Sequence, residues 1–435
     1  MSLITVNSDI KSKTAVIYPE ILNRPLGISA DSRLAEAVGL ALAINLEVVH
    51  SEITKIREIK PGAFFGQGFI DRLKPQLEEL GAELLIVDSS LTPIQQRNLE
   101  KKLQLKVIDR TALILEIFGE RAQTSEGKLQ VELAHLTYQR SRLVRSWTHL
   151  ERQRGGAGFL GGPGETQIEL DRRIIDDKIV RIKKELEKVK QTRSIQRSAR
   201  KRIPYPVVAL VGYTNAGKSS LFNRLSSAGV LAKDLLFATL DPAMRKIALP
   251  SGREIILSDT VGFISDLPHE LIMAFRATLE EVLSADIIVH VRDVANPDSR
   301  EQKQDVVKVL ESLGLQNVET MPQYIEVLNK LDLVAPDRRD YIIGQTLGNS
   351  NLLALSALTG EGCAAFLRAI DDKLASADVH IVVTLPLSDG KNKAWLYEHA
   401  EVLSVNAGEQ TADFEIRIAS QWLSRLEQLL GRPLT

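Results

Sequence analysis

The run GYTNAGKS, at Gly212–Ser219, has the spacing G-x-x-x-x-G-K-[ST]. It follows the apolar stretch Val207–Val211, typical of a strand, and precedes LFNRLSS, typical of a helix. Glycines let a backbone wrap around a phosphate chain, and the first N–H groups of a helix bind anions. We therefore expect Lys218 to reach the β- and γ-phosphates and Ser219 to ligate Mg²⁺. The predicted phosphate-binding residues are Gly212, Tyr213, Thr214, Asn215, Ala216, Gly217, Lys218, Ser219 and Ser220.

A second run, IEVLNKLD, places polar residues at the end of an apolar strand. The Asp332 carboxylate can accept hydrogen bonds from guanine N1–H and N2–H₂, whereas adenine would leave it unpaired. Asn329 can bond to N7, and the Lys330 stem can lie over the purine. A further strand end, LLALSAL, predicts a backbone N–H of Ser356 or Ala357 at O6. The predicted guanine-binding residues are Asn329, Lys330, Leu331, Asp332, Ser356, Ala357 and Leu358.

Two segments between these motifs are predicted to respond to the γ-phosphate. In IILSDTVG, Asp259 follows a strand and Gly262 can swing toward the γ-phosphate; LFATLD lies upstream. We expect Ser219 and Thr239 to ligate Mg²⁺, with Asp259 holding a metal-bound water. Each piece alone could be a surface turn, but together and in this order they predict GTP binding. Switch I would be Phe237, Ala238, Thr239, Leu240 and Asp241, and switch II Asp259, Thr260, Val261 and Gly262.

With these motifs the chain resembles the TRAFAC-class GTPases of the Obg–HflX superfamily. The segments RTALILEIFGERAQTSEGKLQVELAHLTYQRSRL and RGGAGFLGGPGETQIELDRR, followed by the P-loop, resemble the HflX family. The similarity covers residues 80–360 well and the two ends more weakly. It implies a ribosome-associated GTPase that binds the large subunit and its rRNA. It also implies a role in splitting stalled or stressed ribosomes.

Two residues near the predicted switches bear on hydrolysis. Ala243 stands where the family usually has a hydroxyl residue after DP, and Phe263 stands where Ras-like enzymes carry a water-orienting glutamine. Because Phe263 can neither donate nor accept a hydrogen bond, we expect slow intrinsic hydrolysis. The ribosome in trans or a K⁺ ion would then position the water. Asn215 matches the asparagine with which K⁺-activated GTPases of this class bind that ion.

The length and composition predict several domains in a soluble protein. The chain has 435 residues, 44% of them hydrophobic and 26% charged. One cysteine, Cys363, excludes an intramolecular disulfide and fits a reducing compartment. There is no apolar run long enough for a membrane span and no signal-peptide pattern. We expect a cytoplasmic monomer, with peripheral membrane association left open.

The order of predicted elements indicates an α/β fold in four parts. Residues 1–127 form an N-terminal α/β domain with a largely parallel sheet, and 128–203 a helical hairpin with a glycine-rich tip at 155–167. Residues 204–372 form the P-loop GTPase domain. Residues 373–435 form a small α+β domain with a strand–helix–strand order that ends in a helix, and we assign Trp395 and Trp422 to its core. In the first part, GAFFGQG at Gly62–Gly68 could contact a nucleotide, but a plain turn is favoured.

Two heptad patterns predict the hairpin. The first is Leu129, Leu136, Leu143 and Leu150, supplemented by Leu133 and Trp147; the second is Ile168, Ile175, Ile182 and Val189, supplemented by Ile179 and Leu186. The Gly/Pro segment between them requires a reversal, so the helices would pair antiparallel. A helix of about 26 residues is about 39 Å long at ~1.5 Å per residue. The tip would therefore lie far from the body.

Charge and composition predict that the hairpin contacts RNA. The net charge of the chain is −1, but residues 140–202 hold 18 Lys and Arg against 8 Asp and Glu. Six glycines occupy residues 155–164, where the backbone could approach RNA closely. The alternatives are a solvated helix face and a flexible linker. The RNA-contact candidates are Arg152, Arg154, Phe159, Arg172 and Arg173.

Two other functions remain open from the sequence. The hairpin could be a coiled-coil surface through which a GTP-dependent switch docks a protein partner. The second open function is that of an RNA-remodelling ATPase in the N-terminal domain, although that domain carries no ATP motif.

Asp332→Asn should greatly weaken GTP binding and favour xanthosine triphosphate, because its 2-oxo group suits an amide donor. Fluorescence titration with both nucleotides measures the change. Wild-type affinity for GTP in the variant would mean that Asp332 does not read guanine.

Overall fold

The computed structural model describes residues 11–22, 27–153, 167–200, 205–226, 236–237, 239–240, 242–266, 281–376 and 378–431. For several helical residues, 144–153 and 192–200 among them, it describes only the backbone. Within these ranges the chain forms an α/β domain, a helical hairpin, a P-loop domain and a small antiparallel domain.

The N-terminal domain is a four-stranded parallel sheet flanked by helices. Its strands lie in the order β2-β1-β3-β4, all parallel, as the alternating pattern predicted. The strands are β1 (Lys13–Ile21), β2 (Glu47–Ile56), β3 (Leu84–Val87) and β4 (Lys106–Asp109). The helices are α1 (Ala30–Ala43), α2 (Gln67–Leu80), α3 (Pro93–Leu103) and α4 (Arg110–Arg121).

Local sequence signals set the ends of these helices. Thr92 and Gln95 form a reciprocal capping box at the start of α3, with Pro93 in the first turn. The first part of the segment Gly62–Gly68 is a turn, because the backbones of Lys60 and Phe64 bond to each other in both directions at 2.9 Å, whereas Gly68 lies in the first turn of α2. The capping box therefore fixes where α3 begins.

The hairpin consists of α5 (Ser125–Gln153) and α6 (Gln167–Arg200), which pair antiparallel. The predicted pattern is confirmed at seven positions, whose side chains form a small core between the two helices. Arg140 and Asp176 add an ion pair of 2.8 Å across the helices. The residues of this small core are Leu129, Leu133, Leu136, Ile175, Ile179, Ile182 and Leu186. The predicted tip lies outside the described residues, except for the backbone of Gln167 at the start of α6.

The hairpin is anchored to the N-terminal domain through Asp109, which is 2% exposed. Its carboxylate caps α4 by accepting from the Ala112 N–H at 2.9 Å. The same carboxylate accepts from Tyr138 Oη at 2.8 Å and from Arg142 at 2.5 Å, both on α5. The Arg142 guanidinium also lies 4.4 Å from the centre of the Tyr138 ring. A buried carboxylate thus joins the middle of α5 to the end of β4.

The described residues of the P-loop domain form a six-stranded sheet in the order β10-β9-β8-β5-β7-β6, and among these strands only β6 runs antiparallel to its neighbour. The strands are β5 (Val207–Gly212), β6 (Ala243–Ala248), β7 (Glu254–Asp259), β8 (Ile287–Asp293), β9 (Tyr324–Asn329) and β10 (Leu352–Ala354). The helices are α7 (Lys218–Ser226), α8 (Ser299–Ser312), α9 (Pro336–Thr346) and α10 (Cys363–Ser376). The predicted boundary at 372 falls within α10. The carboxyl ends of the central strands meet at one edge, where ligands of such sheets bind.

The C-terminal domain has one more strand than its sequence indicated. Strands β11 (Asp378–Pro386), β12 (Ala400–Ala407) and β13 (Thr411–Ala419) pair antiparallel in the order β11-β13-β12. Helices α11 (Gly390–His399) and α12 (Ser420–Leu430) cover one face. Trp395 and Trp422 pack against this core with ring centres 5.9 Å apart, which confirms their assignment.

The N-terminal and P-loop domains share a continuous apolar core. Phe118 on α4 meets Phe237 edge-to-face with ring centres 4.8 Å apart, and Phe263 belongs to the same cluster. A β-carbon at Gly39 of α1 would lie only 3.1 Å from Leu236 Cδ1. Phe237 of predicted switch I therefore packs against α4, and the preceding residue, Leu236, lies against α1. No described helix is both long enough and apolar enough to cross a membrane.

Asp109→Asn should destabilise the N-terminal domain by about 3 kcal/mol, because it leaves Arg142 without its buried counter-charge. Chemical denaturation followed by circular dichroism measures the shift in the midpoint. The matched control is Glu58→Gln, which removes the exposed 3.0 Å ion pair with Lys60. It should cost no more than about 0.5 kcal/mol. Equal midpoints for both variants would contradict the anchoring role of Asp109.

Candidate nucleotide site

The loop after β5 has a backbone that only glycine fits at two positions. Gly212 has φ +152°, and a β-carbon there would lie 2.2 Å from the Val291 carbonyl oxygen. Gly217 has φ +90°, and a β-carbon there would lie 2.2 Å from Asn329 Nδ2. Asn215 adopts the left-handed conformation at φ 57° and is exposed. The loop therefore curls tightly between β8 and the end of β9 before α7 begins at Lys218.

Lys218 is buried beneath this loop. Its Nζ donates to the carbonyl oxygens of Gly212 at 3.1 Å and Tyr213 at 2.8 Å. Burial lowers the Lys218 pKa to about 8, against the opposing effect of Asp259. The ammonium is thus a poorly solvated cation, which a phosphate would stabilise.

Three oxygens converge where the sequence predicted Mg²⁺. Ser219 Oγ donates to Asp259 Oδ2 at 2.7 Å, Thr239 Oγ1 donates to the same oxygen at 3.0 Å, and the two hydroxyls are 3.0 Å apart. Asp259 is fully buried, and its Oδ1 has no hydrogen-bond partner among the described residues. Burial raises the Asp259 pKa, while Lys218, Ser219 and Thr239 lower it. This oxygen set fits Mg²⁺ held by hydroxyls and phosphate, with Asp259 next to the metal.

The segment after Asp259 pairs with the phosphate loop. Phe263 N–H donates to Gly212 O at 3.1 Å, and Thr214 N–H donates to Phe263 O at 2.7 Å. A β-carbon at Gly262 would lie 2.9 Å from Thr214 Cγ2 and 3.2 Å from Lys218 Nζ, so only glycine allows this approach. Thr260 Oγ1 donates to Leu210 O at 2.7 Å, and Val261 is buried in the core. The Phe263 side chain is 1% exposed, so it packs in the core.

The predicted guanine-binding residues come together at the ends of β9 and β10. Ser356 Oγ donates to Asp332 Oδ1 at 2.5 Å, which orients the carboxylate. Asn329 Nδ2 donates to Ala216 O at 2.8 Å, and Asn329 Oδ1 accepts from Ala357 N–H at 2.9 Å. One amide hydrogen of Asn329 remains for a purine N7. Asn329 therefore ties the phosphate loop to the guanine loop, a link that the sequence did not indicate.

The backbone N–H that would donate to guanine O6 stays a prediction. Both N–H groups proposed for this role donate to acceptors within the protein. Ala357 donates to Asn329, and Ser356 donates to the Glu361 carbonyl at 2.9 Å. The remaining residues of the motif differ in exposure. Leu331 is 1% exposed and packs in the core, whereas Leu358 is 73% exposed.

Two supporting residues of this pocket were not found from sequence. Asp293 pairs with Lys330 Nζ at 2.8 Å, while Lys330 itself holds a left-handed φ of 68°. Arg224 on α7 donates to the carbonyl oxygens of Ala357, at 3.1 Å, and Leu358. Each contact joins segments distant in sequence, so no local pattern could have indicated it.

The structure describes only part of predicted switch I and of the RNA-contact set. Phe237 and Leu240 are buried, whereas Ala238 and Asp241 lie outside the described residues. Arg154 and Phe159 also lie outside them, and of Arg152 only the backbone is described. Arg172 and Arg173 are exposed on α6. The Arg172 Nε lies 4.0 Å from Asp176 one turn later, as on a solvated helix face.

Comparison with known proteins gives one family over nearly the whole chain. Four family models match in order: "GTP-binding GTPase N-terminal" at 31–119 and "GTP-binding GTPase Middle Region" at 121–200. They are followed by "50S ribosome-binding GTPase" at 207–330 and "HflX C-terminal domain" at 342–434. GTPase HflX of Magnetococcus marinus is 49% identical over 394 residues, covering 91% of this chain and 90% of the relative. The chain belongs to the HflX family of GTPases.

A second HflX relative agrees with this assignment. GTPase HflX of Escherichia coli is 44% identical over 338 residues, covering 78% of each chain. The crystal structure of a GTP-binding protein from Sulfolobus solfataricus with GDP is 23% identical, covering 83% of this chain and 98% of that one, with a TM-score of 0.44. The chain is thus an HflX-family GTPase, and its P-loop domain falls in the 50S ribosome-binding GTPase family.

GDP affinity should depend on pH because of Lys218. With a pKa near 8 in the protein alone, Lys218 must take up a proton on binding phosphate at higher pH. Affinity should be nearly constant below about pH 7.5 and fall up to about tenfold per pH unit above 8. Calorimetry between pH 7 and 9 in buffers of different ionisation enthalpy measures both effects.

The control is Lys218→Arg, whose guanidinium stays charged over this range, so its residual affinity should not vary with pH. A wild-type affinity that is flat from pH 7 to 9, without proton uptake, would contradict this account of Lys218.

Proposed function

We propose that this chain hydrolyses GTP while associated with the large ribosomal subunit, and that it splits or rescues stalled ribosomes under stress. It would act in the cytoplasm as a monomer. The observation that carries the proposal is that a long hairpin extends from the same domain that contacts switch I and the segment after switch II. Helix α5 begins at Ser125, four residues after α4 ends at Arg121.

The hairpin is suited to transmit the nucleotide state. Phe118 of α4 packs on Phe237 of switch I, and Asp109 at the start of α4 binds Arg142 of α5. A change in the switches on GTP binding would therefore alter the packing that holds α4 and the middle of α5. GTP would favour the subunit-binding pose, and hydrolysis would release it.

The basic charge of the hairpin supports an RNA partner. The described exposed face of α6 includes Arg172, Arg173, Lys178, Arg181, Lys183, Lys184 and Lys188. Some of this charge is balanced within the helix, as in the 3.0 Å pair of Arg181 with Glu185. The local excess of positive charge would still favour approach to rRNA phosphates. The glycine-rich tip would be the part that reaches the functional centre of the subunit.

Hydrolysis would be slow on the isolated protein. Mg²⁺, bound by the phosphates with Ser219 and Thr239, would neutralise charge on the transferring group. Phe263 is packed in the core and offers no polar group to a water. A ribosomal group, or K⁺ bound at Asn215, would then orient the attacking water.

The rival function is a GTP-dependent switch that docks a protein partner through the hairpin. The dependence of binding on salt concentration distinguishes this function from ribosome binding. Phosphate-dominated binding weakens steeply with ionic strength, whereas an apolar helix interface responds little.

Replacing Gly155–Gly164 with a short Gly-Ser turn should abolish ribosome splitting but preserve GTP binding. The described hairpin core, from Leu129 to Leu136 and from Ile175 to Leu186, lies outside the replaced segment. Sucrose gradients of purified ribosomes with a non-hydrolysable GTP analogue measure splitting. Turnover with and without large subunits measures stimulation, which we expect to be large for the wild type.

The control for this experiment is the same gradient at raised salt, where subunit binding should fall for both proteins. Splitting at the wild-type rate by the tip variant would make the glycine segment a mere connector. Fast basal turnover that is unaffected by large subunits would contradict the proposed activator.

A further inference from the structure

Ser265, three residues after Gly262, is held by both domains. Its N–H donates to Tyr213 Oη at 2.9 Å, and its hydroxyl donates to Asp305 Oδ2 at 2.6 Å. Its carbonyl oxygen accepts from Arg110 of the N-terminal domain at 2.9 Å. The residue is 1% exposed, so each of its backbone polar groups is buried with a partner.

The N-terminal domain supplies three charged residues to this cluster: Arg110, Asp88 and Glu36. Arg110 pairs with Asp88 at 2.6 Å and with Glu36 at 2.5 Å. Burial would lower the Arg110 pKa, but Asp88 and Glu36 raise it overall, so the guanidinium stays charged. Glu36 also accepts a hydrogen bond from Tyr213 Oη of the phosphate loop. Two side chains of one domain thus contact the phosphate loop and the segment after switch II in the other.

Tyr213 connects the phosphate loop to the segment after switch II. Burial, followed by the charge of Glu36, raises the Tyr213 pKa, so its hydroxyl keeps the proton that it donates. Its backbone carbonyl accepts from Lys218 at 2.8 Å, and its backbone pairs with Phe263. The hydroxyl that Glu36 holds therefore belongs to a residue that also contacts the phosphate-binding lysine.

The backbone between Ser265 and Gly262 has little freedom. Phe263 pairs on both sides with the phosphate loop, and Ile264 is 1% exposed. A shift of Ser265 must therefore move Gly262, which already lies against Thr214 and Lys218. The place of Gly262 relative to a γ-phosphate depends on what holds Ser265.

We propose that Glu36 and Arg110 are positioning residues for GTP hydrolysis. They fix Tyr213 and Ser265 from the N-terminal domain and so set where Gly262 meets the γ-phosphate. The chemistry is carried out by groups of the P-loop domain, and the N-terminal domain determines their alignment. Misplacement of about 1 Å at a reacting centre can cost up to about a hundredfold in rate, so this contact is expected to affect kcat.

Glu36→Gln tests this role on the full chain without ribosomes. It keeps the shape of the side chain but weakens its bonds to Arg110 and Tyr213. We expect single-turnover GTP hydrolysis to fall about tenfold, with GDP affinity within about twofold, because the guanine and β-phosphate contacts do not involve Glu36. The matched control is Arg253→Gln, which removes a 2.5 Å ion pair to Asp378 at the junction with the C-terminal domain. Its hydrolysis rate should equal that of the wild type.

A double-mutant cycle with Tyr213→Phe makes the test specific. If Glu36 acts through the Tyr213 hydroxyl, the double variant should hydrolyse GTP no more slowly than the slower single variant. Tyr213→Phe alone also tests the contact if Glu36→Gln does not fold, since it removes one oxygen and leaves the loop backbone intact.

Three results would overturn the proposal. The first is an unchanged kcat in Glu36→Gln with a lowered melting temperature, which would make the contact a structural junction only. The second is a raised kcat, which would mean that it restrains switch II. The third is a double variant whose fold-loss in hydrolysis rate equals the product of the fold-losses of the two single variants, which would mean that Glu36 and Tyr213 act separately.

Discussion

The three parts of the chain around α4 depend on two adjacent buried charges, Asp109 and Arg110. Burying a charge is expensive unless it is paired and hydrogen-bonded, so each must keep its partners. Asp109 finds them on the hairpin, in Tyr138 and Arg142. Arg110 finds them in Asp88 and Glu36 and reaches the carbonyl of Ser265 in the P-loop domain. The start of α4 is consequently fixed to its own sheet, to the hairpin and to the GTPase domain at once.

The nucleotide site depends on a second constraint, which is close approach between backbones and side chains. Gly212, Gly217 and Gly262 each lie where a β-carbon would collide with a carbonyl, an amide or a neighbouring side chain. Asn329 then joins the phosphate loop to the guanine loop through its own side chain. The spacing between the phosphates and the base is therefore set by packing, and it leaves little room for substitution.

Phe263 occupies the position at which Ras-like enzymes carry a water-orienting glutamine, and in this protein the side chain there packs in the core. Its side chain fills the core that the P-loop and N-terminal domains share, and its backbone pairs with the phosphate loop. A polar side chain there would lose that burial. One apolar residue thus ties the segment after switch II to the phosphate loop through its backbone and to the shared core through its side chain.

Much of the site could be predicted from sequence, because its signals are local. The spacing of Gly212, Lys218 and Ser219 after a strand predicts a phosphate loop, and Asp332 with Ser356 predicts a guanine pocket. The confirmed parallel sheet and hairpin core follow from periodicity, since strand and helix repeats depend only on neighbouring residues.

Other contacts were decided only by tertiary structure. Glu36 and Tyr213 are 177 residues apart, and Arg110 and Ser265 are 155 apart, so no local pattern links them. The engagement of the Ala357 N–H by Asn329 and the additional C-terminal strand also depend on how distant segments meet. Sequence alone therefore determined which chemistry the chain carries, because motif spacing encodes it. Only the tertiary structure decided that the N-terminal domain contacts the P-loop domain through Arg110 and Glu36. A buried charge must be paired, and packing determines which partner lies within reach.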